Sequence, residues 1–495
     1  MTKNIDSHFL LVLILAASYF CFWFLYSTYA YQTFNLGYLD LGTAASNFYI
    51  HLHYPAAISG LEYLNFMTHI SLFQFILMPI FAAFPSPITL IAVQDLLIAM
   101  AAVFVYLSAN QLIKSKKICI VLVIAFLLNV GTLGLAKFAF HLEAAMLFFF
   151  ILSFYLYLKS TKYFMLSYVL LLSVFDIAAI IGFILLLSLL LYELKYRGET
   201  ADRAKRFRMI LVSFIVTIIF LIFYVLASHA LISSYNSGQY LNAPHITHII
   251  GFISQQASTL GNISNTSILY LMKGAILTMF AFLSFGIYAI TNFIMTILLT
   301  SPWIVEVFFV HNSNFFFYFT QNQIYATEGV TISSIIGIST IINKKRKSRI
   351  ESLLANEKVI ILIILVLAMD INVPFIMLVI PTNYSAPSIN YVQISQILSA
   401  KIPRNVSIMS QSGIATHIFY EYNLELPPNE SYMWYTPLNQ TLYSFYYFKP
   451  DYVVYDTNLP DYAGAGNYLE TNRANYSLYF SANDLYIYKS DDGHK

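Results

Sequence analysis

Residues 8–30 read HFLLVLILAASYFCFWFLYSTYA, and residues 31–40 continue YQTFNLGYLD. The first stretch holds no Asp, Glu, Lys or Arg and is long enough to cross a bilayer, which takes about 20 apolar residues. It exceeds the apolar core of a secretory leader and has no small-residue cleavage site, so it reads as a retained span. The same reading gives further spans near 88–113, 118–136, 144–158, 163–175, 178–194, 209–230, 267–289, 291–310, 325–342 and 357–380, eleven in all. Composition agrees. Of 495 residues 59% are hydrophobic and 10% charged, against roughly 45–50% and about 25% in soluble domains. A soluble enzyme, a disordered chain and a fibrous protein are excluded, leaving a polytopic all-α membrane protein. The net charge of +2 names no partner. Cys21 and Cys119 lie in apolar runs, so no disulfide framework is expected.

Lys and Arg accumulate in short cytoplasmic loops. Clusters at Lys114–Lys117, Lys159–Lys162, Lys195–Arg208 and Lys344–Arg349, with Lys3 and Lys358, fall on one side when eleven spans alternate. The N-terminus is then cytoplasmic and the C-terminal segment extracellular, in a multi-pass protein of the cell membrane. N-x-S/T sequons begin at Asn262, Asn265, Asn383, Asn405, Asn429, Asn439 and Asn475, all in segments placed outside. They suggest an archaeal or eukaryotic glycoprotein. The apolar run 66–84 breaks that alternation if it crosses. Because it ends in Phe84-Pro85-Ser86-Pro87, it reads as an interfacial or re-entrant helix.

Two domains follow: 1–380, the transmembrane domain with an outer loop at 31–87, and 381–495, an extracytoplasmic α/β domain. The latter has strand-like runs at Asn405–Met409, Tyr432–Tyr435, Tyr452–Asp456 and Tyr476–Tyr488. Its many tyrosines suit either a tyrosine-rich core or a sugar-contacting surface. Residues 231–265 read as a polar outer loop.

A charge at the bilayer centre costs about 2.5–3.5 kcal/mol on insertion scales, so acidic residues near spans mark function or pairing. Asp40, Glu62, His141, Glu143, Asp176, Glu306 and Glu328 gather at the outer ends, while Asp95 and Asp370 lie deeper. This one-sided distribution suits a cavity opening outward for a lipid-linked phosphate, or for a divalent cation such as Mg²⁺ or Mn²⁺. It equally suits charged residues that cap spans at the water boundary, or a helix–helix hydrogen bond for the deeper pair.

The stretch Asn35-Leu36-Gly37-Tyr38-Leu39-Asp40 resembles the F-D-L-G-x-x-D motif of an uncharacterised domain-of-unknown-function family of predicted polytopic membrane proteins of archaea and bacteria. His69-Ile70-Ser71, Phe84-Pro85-Ser86-Pro87 and Gln94 are similar to a later run of the same family, and Phe140-His141-Leu142-Glu143 to its F-H-P-E. Phe175-Asp176 resembles the end of its K-E-D, and Asn322–Ala326 resembles a weakened H-Y-S-A. The family in turn resembles the GT-C class of glycosyltransferases. That resemblance implies transfer of a sugar from a polyprenyl-phosphate donor on the extracytoplasmic side. Asp40 and Glu143 would be catalytic, with Asn35, His69, Asp176 and Tyr325 binding substrate. Asp40, His141 and Glu143 would hold a metal if one is used. The chain departs from the pattern at Asn35, Ala139, Val174, Phe175 and Ile324, which stand where polar or charged residues are expected.

The function expected is therefore a hexosyltransferase whose site residues meet in one outward-facing pocket. The alternatives are a non-catalytic relative, a lipid or solute transporter, or a surface scaffold. No phosphate-cradling loop or dinucleotide fingerprint occurs, so no nucleic acid or nucleotide partner is expected, and the partners are membrane lipid and the sugar donor.

Overall fold

The computed structural model describes residues 6–36, 38–53, 55, 63–66, 69–138, 140–195, 203–234, 272, 275–276, 278–279, 282, 284–285, 288–309, 323–344, 347–379, 391–403, 406–418, 423–425, 450–459 and 465–491. They form two compact units. One comprises Met1–Trp23, Val93–Val225 and Ile246–Pro381; the other comprises Phe24–Ala92, Leu226–His245 and Thr382–Lys495.

The first unit is helical. Its elements are α1 (Ser7–Gln32, whose end belongs to the second unit), α4 (Pro87–Leu112, whose start does), α5 (Lys116–Leu127), α6 (Val130–Lys137), α7 (Glu143–Leu158), α8 (Tyr163–Ser173), α9 (Asp176–Lys195), α10 (Arg203–Ser234, whose end belongs to the second unit), α11 (Phe293–Phe309), α12 (Ile324–Asn343), α13 (Arg349–Leu354) and α14 (Glu357–Val379). Each expected apolar run that is described begins or ends within a few residues of a helix. The run 267–289 lies mostly outside the described residues, as does the loop 231–265.

Among the described residues, five helices are long and apolar enough to cross a membrane. They lie at Ser7–Gln32, Pro87–Leu112, Asp176–Lys195, Arg203–Ala230 and Ile324–Asn343. A sixth is counted if α5 and α6 are taken as one span bent by 48°. The run expected as one straight span at 118–136 is thus broken, because the Asn129 side chain caps α6 by accepting from the Gly131 N–H at 2.9 Å. α8 is also shorter than the expected span: its 11 residues extend about 17 Å, against a hydrocarbon core of about 30 Å.

Polarity in this unit is arranged inside out. Along α10, Leu211, Ile215, Ile218 and Ile222 are exposed, while Ser213, Thr217 and Tyr224 are buried. The Tyr168 hydroxyl lies 2.6 Å from that of Thr217, and the Tyr224 hydroxyl donates to the Leu172 carbonyl at 2.7 Å. An apolar outer face over a hydrogen-bonded inner one is what lipid selects, because a buried hydroxyl finds partners only in protein. α12 is the central helix, and Gly329, Ser333 and Gly337 lie on one face at four-residue spacing. A Cβ on Gly337 would sit 2.1 Å from the Tyr288 carbonyl oxygen, and one on Gly329 2.7 Å from the Leu299 carbonyl. Small residues let the backbones touch where no hydrophobic drive separates lipid from helix.

The second unit joins the end of α1 to a wide turn (Tyr38–Gly42), α2 (Thr43–His53), the hairpin β1 (Asn65–Phe66) and β2 (His69–Ile70), and α3 (Gln74–Ala83). Its 10 residues make α3 about 15 Å long, too short to cross. From the C-terminal part come α15 (Tyr391–Lys401), β3 (Ser407–Ser410), α16 (Ser412–Ile418), β4 (Asn423–Glu425), β5 (Tyr452–Asp456), α17 (Ala465–Asn472), β6 (Tyr476–Ala482) and β7 (Leu485–Ser490). The sheet order is β4-β3-β5-β7-β6, parallel for β4, β3 and β5 and antiparallel across β7. The run read as one strand at Tyr476–Tyr488 is a hairpin that turns at Asn483, a residue tolerant of its φ of 51°. The expected run Tyr432–Tyr435 and residue Asn405 lie outside the described residues. Met409, Val453, Leu469 and Tyr476 form the core, with Tyr455, Tyr468 and Tyr488 packed on it. Several of the tail's tyrosines are therefore core.

Candidate functional site

In the second unit the site residues begin where α1 stops. The Asn35 N–H donates to the Ala30 carbonyl at 2.9 Å and the Phe34 N–H to the Tyr31 carbonyl at 3.0 Å. This pair of bonds ends a helix through one left-handed residue. That residue is Phe34, at φ 58°. The Asn35 amide group donates to the Thr33 carbonyl at 3.0 Å and the Thr33 hydroxyl at 2.9 Å, so it braces the turn itself. Asp40 follows, half-buried, on the wide turn Tyr38–Gly42, against which α16 packs. His69 is half-buried on β2. Beside this hairpin, Gln74 donates to the carbonyls of Tyr63 and Ser71, both at 2.8 Å, and the His51 ring lies edge-on to Tyr63 at 5.3 Å.

In the first unit the connection from α6 to α7 is pinned by Gln94 of α4. Its amide donates to the carbonyls of Leu135, at 3.1 Å, and Phe138, and its oxygen accepts the His141 N–H at 2.6 Å. His141 and Glu143 are buried, and Glu143 opens α7, where the helix dipole favours a carboxylate. Glu328 of α12 is 1% exposed and lies within electrostatic reach of Glu143. Tyr325, three residues earlier, shares that helix face and is buried. Thr327 donates to the Asn129 side-chain oxygen, tying α12 to the break between α5 and α6. Asp176 is buried at the start of α9; its carboxylate accepts the Ile177 N–H at 3.1 Å, and it acts electrostatically on Tyr224.

The structure therefore joins His141 to Gln94, and packs α12, which carries Glu328, against α7, which Glu143 opens. Gln94 appeared in the sequence only as a motif residue, and Glu328 only as a charge opening a span. Asn129 gave a signal that was missed: an Asn-Val-Gly inside an apolar run is costly in lipid and marks a break. Glu62 and all the sequons except Asn475 lie outside the described residues, as do the side chains of Glu306 and Asp370. Asn475 is exposed. Among the described residues no group of three His, Cys, Asp or Glu side chains suited to a metal ion is present. Of the donor set expected for a metal, Asp40 lies in the second unit and His141 and Glu143 in the first.

A search of curated proteins returns no match to the chain. A family model described as Predicted membrane protein (DUF2079) matches residues 30–487. That match runs through both units and includes every residue discussed above from Asn35 to Asn475, so the chain belongs to this family of membrane proteins of unknown function.

Proposed function

We propose that the protein is a GT-C-like glycosyltransferase with eleven spans, a cytoplasmic N-terminus and a C-terminal domain outside the cell membrane. In this reading a hydroxyl of the acceptor attacks the anomeric carbon of a polyprenyl-phosphate sugar. The bond from that carbon to the phosphate oxygen breaks, the phosphate keeps the electron pair, and Asp40 takes the hydroxyl proton. Asn35 and His69 serve the sugar, while Glu143, as a catalytic residue, and His141, Asp176 and Tyr325 are the candidates that the helical unit holds.

The observation that supports this reading is the turn after α1. A family-motif acid stands on a wide turn, half-buried and packed by a short helix of the C-terminal part, where a solvated loop would have no such cover. The test is transfer from a polyprenyl-linked sugar by purified protein in liposomes. Asp40→Asn should lower transfer about 10²–10⁴-fold, the usual contribution of a general base. Equal rates for variant and parent would remove Asp40 from the chemistry.

One observation favours transport instead. Both carboxylate oxygens of Asp95 and one of Glu328 are buried in the helical unit with no hydrogen-bond partner among the described residues. Intramembrane acids of this kind mark ion or substrate paths. Lipid scrambling or solute uptake that Asp95→Asn abolishes, with no sugar transfer by the parent, would select this second reading.

A further inference from the structure

Phe34 is an unusual choice for the residue that ends α1. The left-handed conformation at this position is normally left to glycine, because a Cβ there meets the following carbonyl. A bulky side chain at φ 58° persists only where its surroundings over-determine it. Those surroundings are a helix nearly 400 residues away in the chain. The His417 ring of α16 stacks on Tyr31 with centroids 4.1 Å apart and tilts against Phe34 at 4.6 Å. Its Nε2–H donates to the Tyr31 carbonyl at 2.9 Å, the same oxygen that receives the Phe34 N–H. Gly413 lets the backbones meet: a Cβ there would stand 2.1 Å from the Phe34 carbonyl oxygen. The Thr416 hydroxyl donates to the Leu36 carbonyl at 3.4 Å. His417 is buried.

We propose that α16 is a positioning element: His417 and Gly413 hold Phe34 left-handed and thereby fix the course of the chain from Asn35 to Asp40. The C-terminal domain then does more than cover the loop, because it sets the direction in which the motif acid leaves the first helix. Its consequence for sugar transfer rests on the function proposed above, whereas the holding itself does not.

Hydrogen exchange on the full-length protein in detergent tests the holding directly. In His417→Ala, amides of residues 34–42 should exchange about tenfold faster, while those of β5 and β7 keep their protection. Phe34→Gly, combined with His417→Ala, should restore the slow exchange, since glycine takes this conformation without help. Unchanged exchange in the single variant overturns the proposal, as does a double variant that exchanges as fast as the single one. Should His417→Ala also expose β5 and β7, His417→Gln replaces it under the same criteria, keeping a donor for the Tyr31 oxygen without the stacked ring. In the transfer assay, His417→Ala should lower kcat with the donor KM unchanged, and Phe34→Gly should recover it. If the parent transfers no sugar, the proposed function fails while the exchange result still decides the positioning role.

Discussion

Arg206 offers the sharpest quantitative test of the helical unit. It lies in the first turn of α10, and its Nε–H donates to a Glu193 oxygen at 2.7 Å. The same oxygen accepts the Tyr157 hydroxyl at 2.8 Å. The side chains are 2% and 0% exposed, so the pair is fully withdrawn from water and joins the end of α9, the start of α10 and α7. Breaking such a pair leaves an uncompensated buried charge, which costs about 3–5 kcal/mol, whereas replacing both partners by apolar groups of similar volume is often neutral. Arg206→Met alone should therefore shift unfolding in mixed micelles by about 4 kcal/mol, close to a thousandfold in the equilibrium constant. Glu193→Leu combined with Arg206→Met should recover all but ~1 kcal/mol, the remainder being the lost acceptor of Tyr157. The measurement is a detergent-denaturant titration followed by tryptophan fluorescence. A single variant costing under about 1 kcal/mol would show the pair to be effectively solvated, within the range of surface pairs. A double variant as damaged as the sum of its singles would refute the desolvation argument.

Three further outcomes are expected. Asn129→Ala removes both the cap of α6 and the acceptor for Thr327, and should cost about 1–2 kcal/mol in the same titration, because Thr327 also reaches the Gln323 carbonyl at 3.2 Å. Burial lowers the pKa of His417 from 6.5 to about 4, so its ring is neutral in place and binds a proton more readily once released. The stability it contributes is complete above about pH 6.5 and is lost as pH falls toward 4; between pH 7 and 5, release should become roughly 20-fold easier, which exchange of residues 34–42 corrected for intrinsic rate would show. His417→Gln should flatten that profile, and Asp40→Asn, on the turn packed against α16, controls for the neighbouring carboxyl. Asn475, exposed in the turn just before β6, should carry a glycan in a glycosylating host; Asn475→Gln would remove one glycosidase-sensitive step in gel mobility, and identical mobility of the two proteins would exclude use of that sequon.

The helices were legible because membrane burial is written locally. Twenty apolar residues in a row need no partner elsewhere to be recognised, and Pro87, Asn129 and Asp176 mark starts or breaks by their own chemistry. Where the reading erred, a local signal was averaged away. Asn129 was absorbed into an apolar run although its side chain ends one helix and starts another. The two-residue turn at Asn483-Asp484 was absorbed into one long strand. Arg206 was counted with its basic neighbours as an orientation signal, yet unlike exposed Lys205 it points inward to Glu193. Charge patterning assigns a side to a loop and does not say which member of the cluster turns toward protein.

The candidate site was legible in a different measure, because its residues meet through contacts that span the chain. Asn129 and Thr327 are 198 positions apart, and His417 and Tyr31 are 386 apart. No periodicity links such pairs, and in each the partner is an ordinary residue for its segment: a threonine in an apolar helix, a histidine in a short buried one. What the sequence does show is cost. A polar group in lipid, or a bulky residue where glycine belongs, is unfavourable alone and implies a compensating partner. Gln94, Asn129 and Phe34 each carry such a cost, and each proves to be held by something distant or to hold it: Gln94 by three backbone groups, Asn129 by Thr327, Phe34 by α16. Reading a membrane sequence for its unaffordable residues, and then asking what must meet them, locates the parts of this fold where function is to be sought.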